Sequence, residues 1–457
     1  MNFKKWVVFL FLVVVCGWVH ALPAKNVIWV IGDGMGPEIL GFWAQGVRYT
    51  NSTNDSPHIS HTENLMNQAV WGLYFNNTYD TIVTDSAASA TQMATGQFSR
   101  PLFVGLDYEK RSVDTLLERA LQHGKAIGVV TDTYVTDATP AAFTAHVENR
   151  RQREEIARQQ IALGPQVILG GGLKYFNKGE NKELLRQAQK QGYQVVQNKK
   201  QLAKVTSGKV LGLFADEALP MAVELHQYPK VPSLVTMAQK AISLLEPAEN
   251  GFIVMIEAGK IDWAAHGNDP GATWAEMKQF DRLIAYLTQY VQAHPDTLLY
   301  INADHDTGLG GFVYRHVGKE NAAKRTAQGE VLYGKDTDYA SFRTYELFDK
   351  QTRSLYLLEE ELKKLPAEKR TPALIQKKLS QALGYKVDIT QFENLEDVPG
   401  IFRQLNDLRA ISYATKNHSS AALLSLAYGP GANQFSGVYH NTDILPRLMR
   451  ILGWEEK

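Results

Sequence analysis

Residues 81 to 97, TIVTDSAASATQMATGQ, hold the most pointed chemical arrangement in the chain. A short β-branched run, Thr81 to Thr84, passes through Asp85 and Ser86 into small helix formers that end at Gly96, where a helix can stop. Ser86 is thereby predicted in the first turn of a helix. Unpaired N–H groups and the positive end of the helix dipole suit that place to an anion, and a hydroxyl there can act as a nucleophile. An ordinary N-cap would use the same residues, because Thr, Asp and Ser are what helices start with.

Carboxylates and histidines recur in other short stretches. KNVIWVIGDGMG places Asp33 just after an apolar run, and its G-x-G-x-G spacing fits a dinucleotide loop poorly. TDTYVTDATPAAFTAHVENRR offers Asp137, Thr139 and Arg150, with a helix predicted from Pro140 that carries Arg150 at its far end. FIVMIEAGKIDWAAHGND ends a strand at Glu257 and sets Asp262 and His266 four residues apart, on one face of a helical turn, a common way to present two ligands to one zinc ion. TLLYINADHDTGLG puts Asp304 and His305 at a strand end, and His418 precedes an apolar strand expected over Ala421 to Ala427. Taken singly, these residues read as well as turn caps, a solvated arginine, an incidental helix-surface pair and a core histidine.

Their common position is more informative. Asp33, Ser86, Thr139, Glu257, Asp262, Asp304 and His305 each fall at or just beyond the carboxyl end of a predicted strand. The apolar runs Val27 to Ile31, Phe252 to Ile256 and Leu298 to Ile301 are continuous, as in strands buried on both faces of a parallel sheet. The expected fold is therefore α/β, a mostly parallel central sheet with helices on both faces, in which ligands bind at the strand ends. Carboxylates gathered there without cations would repel and raise one another's pKa; divalent metals remove that penalty.

The remaining chain supplies the frame. With 457 residues, a large core is available, and 48 basic against 48 acidic residues suggest no nucleic-acid partner. Lys4 and Lys5, an apolar run from Trp6 to Val15, and Val19-His20-Ala21 read as an export signal over residues 1–21, with the catalytic domain over 22–457. The apolar run is short for a membrane span; a retained anchor and lipid attachment at Cys16 are the alternatives. Cys16 is the only cysteine, so the mature chain would have no thiol chemistry. Residues 151 to 250 alternate helix-like and strand-like pieces without a catalytic constellation. Residues 311–410 turn polar and then amphipathic, and are expected to form an inserted subdomain that covers the site or contacts a second subunit.

GDGMG, TDSAASATQMATG, TDATPAAFTAHVENR, IEAGKIDWAAHGND, ADHDTG and NHSSAALLSLAYGPGANQF, in this order, resemble the alkaline phosphatase family. The resemblance implies a phosphomonoesterase with two zinc ions and one magnesium ion, exported to the periplasm or outside the cell, and a homodimer. By motif position, Ser86 matches the phosphorylated nucleophile and Arg150 the arginine that grips phosphate. Asp262, His266 and His418 match the ligands of one zinc; Asp304, His305 and Asp33 match those of the other. By the same resemblance Asp33 would bridge to a magnesium site that Thr139 and Glu257 complete. Asp137 and Trp263 fall at substrate-binding positions. Trp263 departs from the pattern, since many members carry lysine or histidine there, and weaker phosphate retention is expected. A phosphodiesterase, nucleotide pyrophosphatase or sulfatase is the runner-up among enzymes, and a binding protein without turnover the reading from another class.

Overall fold

A computed structural model describes residues 23–50, 59–308, 310–320, 322–323, 336–388, 392 and 397–454. The expected export signal at 1–21, with Cys16, lies outside the described residues.

Ten strands form one sheet: β1 (Asn26–Gly32), β2 (Val70–Phe75), β3 (Ala126–Tyr134), β4 (Val167–Gly171), β5 (Tyr193–Val196), β6 (Lys209–Leu213), β7 (Phe252–Ala258), β8 (Thr297–Asn302), β9 (Leu423–Tyr428) and β10 (Gly437–His440). Their order is β10-β2-β9-β8-β1-β7-β3-β4-β6-β5. β9 alone runs against its neighbours; the other pairings are parallel. The α/β architecture, with helices on both faces, is as expected from the continuous apolar runs. Every residue of β1, β7 and β8 is buried, which only a strand covered on both faces allows. Trp29 in β1 packs edge-on against Phe143 and Tyr300 and donates its indole N–H to Asn302 Oδ1 at 2.7 Å, so the largest buried ring has its polar atom satisfied.

The strands that matter for chemistry are four neighbours, β8-β1-β7-β3. In register, Ile31 lies beside both Glu257 and Asn302, and Thr131 beside Glu257. The residues that follow Ile31, Glu257 and Asn302 therefore leave the sheet at one edge and at about one level, while β3 runs on past Thr131 to Tyr134.

Two local expectations need correction. Residues 81–84 form no strand; Thr81 Oγ1 is engaged with Thr78 Oγ1 and the Val83 carbonyl, so local hydroxyl bonding wins over β-branched propensity. The helix after Asp137 spans only Ala138–Ala142, and Arg150 lies beyond it in an irregular segment whose Val147 bridges to Val104. Glu257 stands at the end of β7, as expected, one residue before its last, Ala258.

Within 311–410 the amphipathic helices Leu355–Lys363, Pro372–Leu383 and Val398–Leu408 share an apolar cluster of their own, including Leu358, Leu379, Ile401 and Phe402. The stretch departs and returns through an antiparallel pair in which Gly310 faces Tyr413 and Phe312 faces Ile411.

Candidate active site

Ser86 opens the helix Ser86–Thr95. Asp85 is its N-cap, accepting from Ala88 N at 3.0 Å, and Gly96 ends it in the left-handed conformation, φ 69°. The cap thus belongs to Asp85, which leaves the Ser86 hydroxyl free for other work. That hydroxyl is buried and lies 3.1 Å from His305 Nε2.

His305 stands where two groups of possible ligands meet. Asp33, Asp304 and His305 each bring one donor atom within 4.8 Å of the others, and so do Asp262, His305 and His418. His305 Nε2 is 3.5 Å from Asp33 Oδ1 and 3.2 Å from Asp304 Oδ2. His266 Nε2 closes on the second group, 3.3 Å from Asp262 Oδ2 and 3.2 Å from His418 Nε2. The short helix Lys260–His266 carries Asp262 and His266 on one face, as their spacing requires.

Electrostatics make this cluster costly for a bare protein. Burial, then Asp304, Asp262 and Glu257, pushes the Asp33 carboxyl well up. Burial, with the Asp262 charge, lifts Asp304 to about 6, and burial, with Asp137, lifts Glu257 to about 8. Burial and the neighbouring His418 and His266 hold His305 well below the usual imidazole range. Asp33 Oδ1, Asp304 Oδ2 and Thr139 Oγ1 are buried without a hydrogen bond. Buried oxygen atoms left unsatisfied beside imidazole nitrogens are the donor set a divalent cation fits.

Arg150 reaches the same edge. Its guanidinium donates to Asp85 Oδ2 at 3.4 Å and to Asp137 Oδ1 at 3.3 Å, and Arg153 shares Asp137 at 3.1 Å. Burial, which lowers Arg150, is outweighed by Asp137, Asp85 and Asp33, so its pKa rises and it stays charged. Asp137 also caps its helix through Ala138 N. Trp263 is half-buried, with the Lys260 ammonium 3.4 Å from its ring centre.

Sequence reasoning missed the residues that orient these groups. Asn76 Nδ2 and Ser89 Oγ both donate to the Asp304 carbonyl at 2.7 Å. Thr307 Oγ1 donates to Asp262 Oδ1 at 2.6 Å, and the Thr131 and Thr133 hydroxyls bind Glu257 Oε2. Asp132 accepts the Gly259 and Lys260 amides at 2.8 and 3.2 Å, fixing the start of the helix that bears Asp262. Period-2 position in β3 was the one available signal for Thr131 and Thr133. Gly34 and Gly36 were legible, and their reason is spatial: a Cβ on Gly34, at φ 68°, would meet Asp262, and one on Gly36 would fall 1.9 Å from Asp306 Oδ1.

Residues 24–454 match the alkaline phosphatase family. Alkaline phosphatase 4 of Bacillus subtilis is 30% identical over 444 residues, covering 94% of this chain and 88% of that protein. Among solved structures, the cold-active alkaline phosphatase from Shewanella sp. superposes with a TM-score of 0.75 at 29% identity, covering 93% of this chain and 99% of that one. That of Thermus thermophilus reaches 0.80 at 24% identity, covering 96% and 93%. Fold and match together make this chain a phosphoric monoester hydrolase. It belongs to the alkaline phosphatase family, which is metal-dependent.

Proposed function

We propose that the chain is an exported phosphomonoesterase that works through a phosphoserine at a site for two zinc ions and one magnesium ion. The observation that carries this reading is the Ser86 hydroxyl, buried in a helix first turn 3.1 Å from His305, at the junction of both ligand groups. Asp262, His266 and His418 would hold one zinc, and Asp33, Asp304 and His305 the other. Asp33, Thr139 and Glu257 would hold magnesium, which prefers an oxygen-rich set. Bound there, the cations neutralise the carboxylates, favour the serine alkoxide and offset charge on the attacking and leaving oxygens.

Ser86 Oγ attacks phosphorus, and the bond from phosphorus to the ester oxygen breaks as the alcohol departs with a proton. Arg150 offers a planar pair of donors to the equatorial oxygens, a shape that lysine lacks. Water then attacks the phosphorus of the phosphoserine, which restores Ser86 and frees inorganic phosphate. Asp137 holds Arg150 in place, and Trp263 borders the phosphate without giving it a charged contact.

Residues 311–410 are read as an inserted subdomain, supported by their own apolar cluster and adjoining ends. Residues 1–21 are read as an export signal, giving a periplasmic or extracellular homodimer. Among the described residues no helix is long and apolar enough to cross a membrane. Turnover of p-nitrophenyl phosphate far above that of bis(p-nitrophenyl) phosphate is expected. In Ser86→Ala, turnover falls by at least about a thousandfold with bound zinc retained; a Ser86→Ala protein that stays active would refute the assignment.

A further inference from the structure

Arg153, a second guanidinium beside Arg150, opens the helix Arg153–Leu163, where the positive end of the helix dipole disfavours a cation. Glu154 and Glu155, in the same first turn, follow the usual preference; Arg153 breaks it. Its head is held from two sides instead. The guanidinium carbon lies 4.2 Å from the centre of the Tyr134 ring, and Nη2 donates to Asp137 Oδ1 at 3.1 Å. Among the described residues Arg153 has no other hydrogen-bond acceptor, and its Nη1 is buried without one. Tyr134 is fixed in turn, because its hydroxyl donates to Glu217 Oε2 at 3.0 Å.

Asp137 Oδ1 is crowded. It accepts from Ala138 N at 3.0 Å, from Arg153 at 3.1 Å and from Arg150 at 3.3 Å. One carboxylate oxygen offers about two lone-pair sites, so the farthest of the three donors is held weakly, and that donor is Arg150. The other contact of Arg150, to Asp85 Oδ2, is as long at 3.4 Å. Two long contacts aim the guanidinium while leaving its N–H groups able to close on phosphoryl oxygens.

We propose that Arg153 is a positioning residue for phosphate: it occupies Asp137 Oδ1, so that Asp137 orients Arg150 without capturing it. The proposal rests on the phosphomonoesterase reading. Without Arg153, Asp137 closes on Arg150 and competes with phosphate for the same N–H groups. The edge also loses a half-buried cation, which weakens anion binding in the same direction. Arg153 acts through Asp137 rather than on the reacting atoms, so its effect falls on affinity: KM and the inhibition constant of inorganic phosphate rise together, and kcat does not fall with them.

The test measures both constants and kcat with p-nitrophenyl phosphate in the metal-loaded full chain. Arg153→Gln is expected to raise KM and the phosphate inhibition constant by about threefold to tenfold; Arg153→Met, which keeps the apolar stem against Tyr134, replaces it if the glutamine variant does not fold. Arg153→Lys keeps a cation able to make the single bond to Asp137 and should recover most of the loss. Asp137→Asn retains a capping oxygen but not the competing charge, and in that background removing Arg153 should change the constants by about twofold or less. Constants that stay put in Arg153→Gln, with or without a lowered melting temperature, overturn the proposal and leave the phosphomonoesterase reading intact, as does an equal change in both backgrounds. If the unmodified protein does not hydrolyse p-nitrophenyl phosphate, that reading falls and the proposal falls with it.

Discussion

The Nε2 atoms of His266 and His418 face each other at 3.2 Å, and both rings direct Nδ1 at a backbone carbonyl, His418 at Thr84 (2.9 Å) and His266 at Lys416. A carbonyl only accepts, so each Nδ1 carries the hydrogen. In the neutral rings both Nε2 atoms then present lone pairs, with Asp262 Oδ2 3.3 Å from His266. Two lone pairs and a carboxylate converging in this way repel unless a cation lies among them.

Removal of metal should therefore change stability in a pH-dependent manner. Asp33, Asp304 and Glu257 have folded-state pKa values raised above the unfolded carboxyl value of about 4, by burial first and neighbouring carboxylates second. The folded apoprotein holds protons that the unfolded chain has lost, so its stability declines as pH rises from about 4 through about 6 for Asp304 and about 8 for Glu257. After exhaustive chelation, the melting temperature is expected to fall across that window and phosphatase activity to vanish. Zinc and magnesium should restore both. An apoprotein whose melting temperature is flat or rises over the window would contradict the coupling.

How much of this was legible in the sequence depends on how local each signal was. β1, β7 and β8 were visible because strands buried on both faces write themselves as unbroken apolar runs, and the residues past them follow by position. Asp262 and His266 were visible because a helical period is a local property. The length of the helix at Ala138 was not: Arg150 is drawn into a loop by Asp85 and Asp137, one of them 65 residues away. Ser89 and Asn76 support Asp304 from more than 200 residues away, and nothing in their own neighbourhoods announces that.

Arg150 is the residue whose shape should count most after Ser86. Its guanidinium is already oriented by two carboxylates, so little ordering remains when phosphate arrives. Arg150→Ala is expected to lower kcat/KM for p-nitrophenyl phosphate by about a hundredfold and to weaken inhibition by inorganic phosphate in parallel. Arg150→Lys keeps the charge but loses the fork, and should recover only a small part. Full recovery with lysine would mean that charge alone matters.

Trp263→Lys tests the one departure from the family pattern. The Lys260 ammonium lies against the indole ring, and burial pulls its pKa down to about 8. Replacing the ring with an ammonium removes a cation-π contact worth about 1 kcal/mol and sets two cations near one another. Phosphate inhibition is expected to tighten by about threefold to tenfold while the melting temperature falls. An unchanged or weaker inhibition constant would show that position 263 does not govern product retention.

Asp269 should matter for stability out of proportion to its distance from the chemistry. It is fully buried and caps the long helix Pro270–Ala293 through Ala272 N at 3.0 Å. The same carboxylate accepts from Leu355 N at 2.6 Å and from Gln351 Nε2 at 2.9 Å, while Glu224 takes Ser354 N at 2.7 Å. Two buried carboxylates, one of them Asp269 only three residues of chain after His266, thus anchor the start of the helix Leu355–Lys363. Asp269→Ala removes an N-cap and several charge-assisted bonds at once, and is expected to destabilise by about 3 kcal/mol. Asp269→Asn, which keeps one acceptor oxygen, should lose about half as much. If the anchor works as described, limited proteolysis of Asp269→Ala should cut first within 311–410, before the sheet unfolds; cleavage spread evenly over the chain would place the role of Asp269 in the long helix alone.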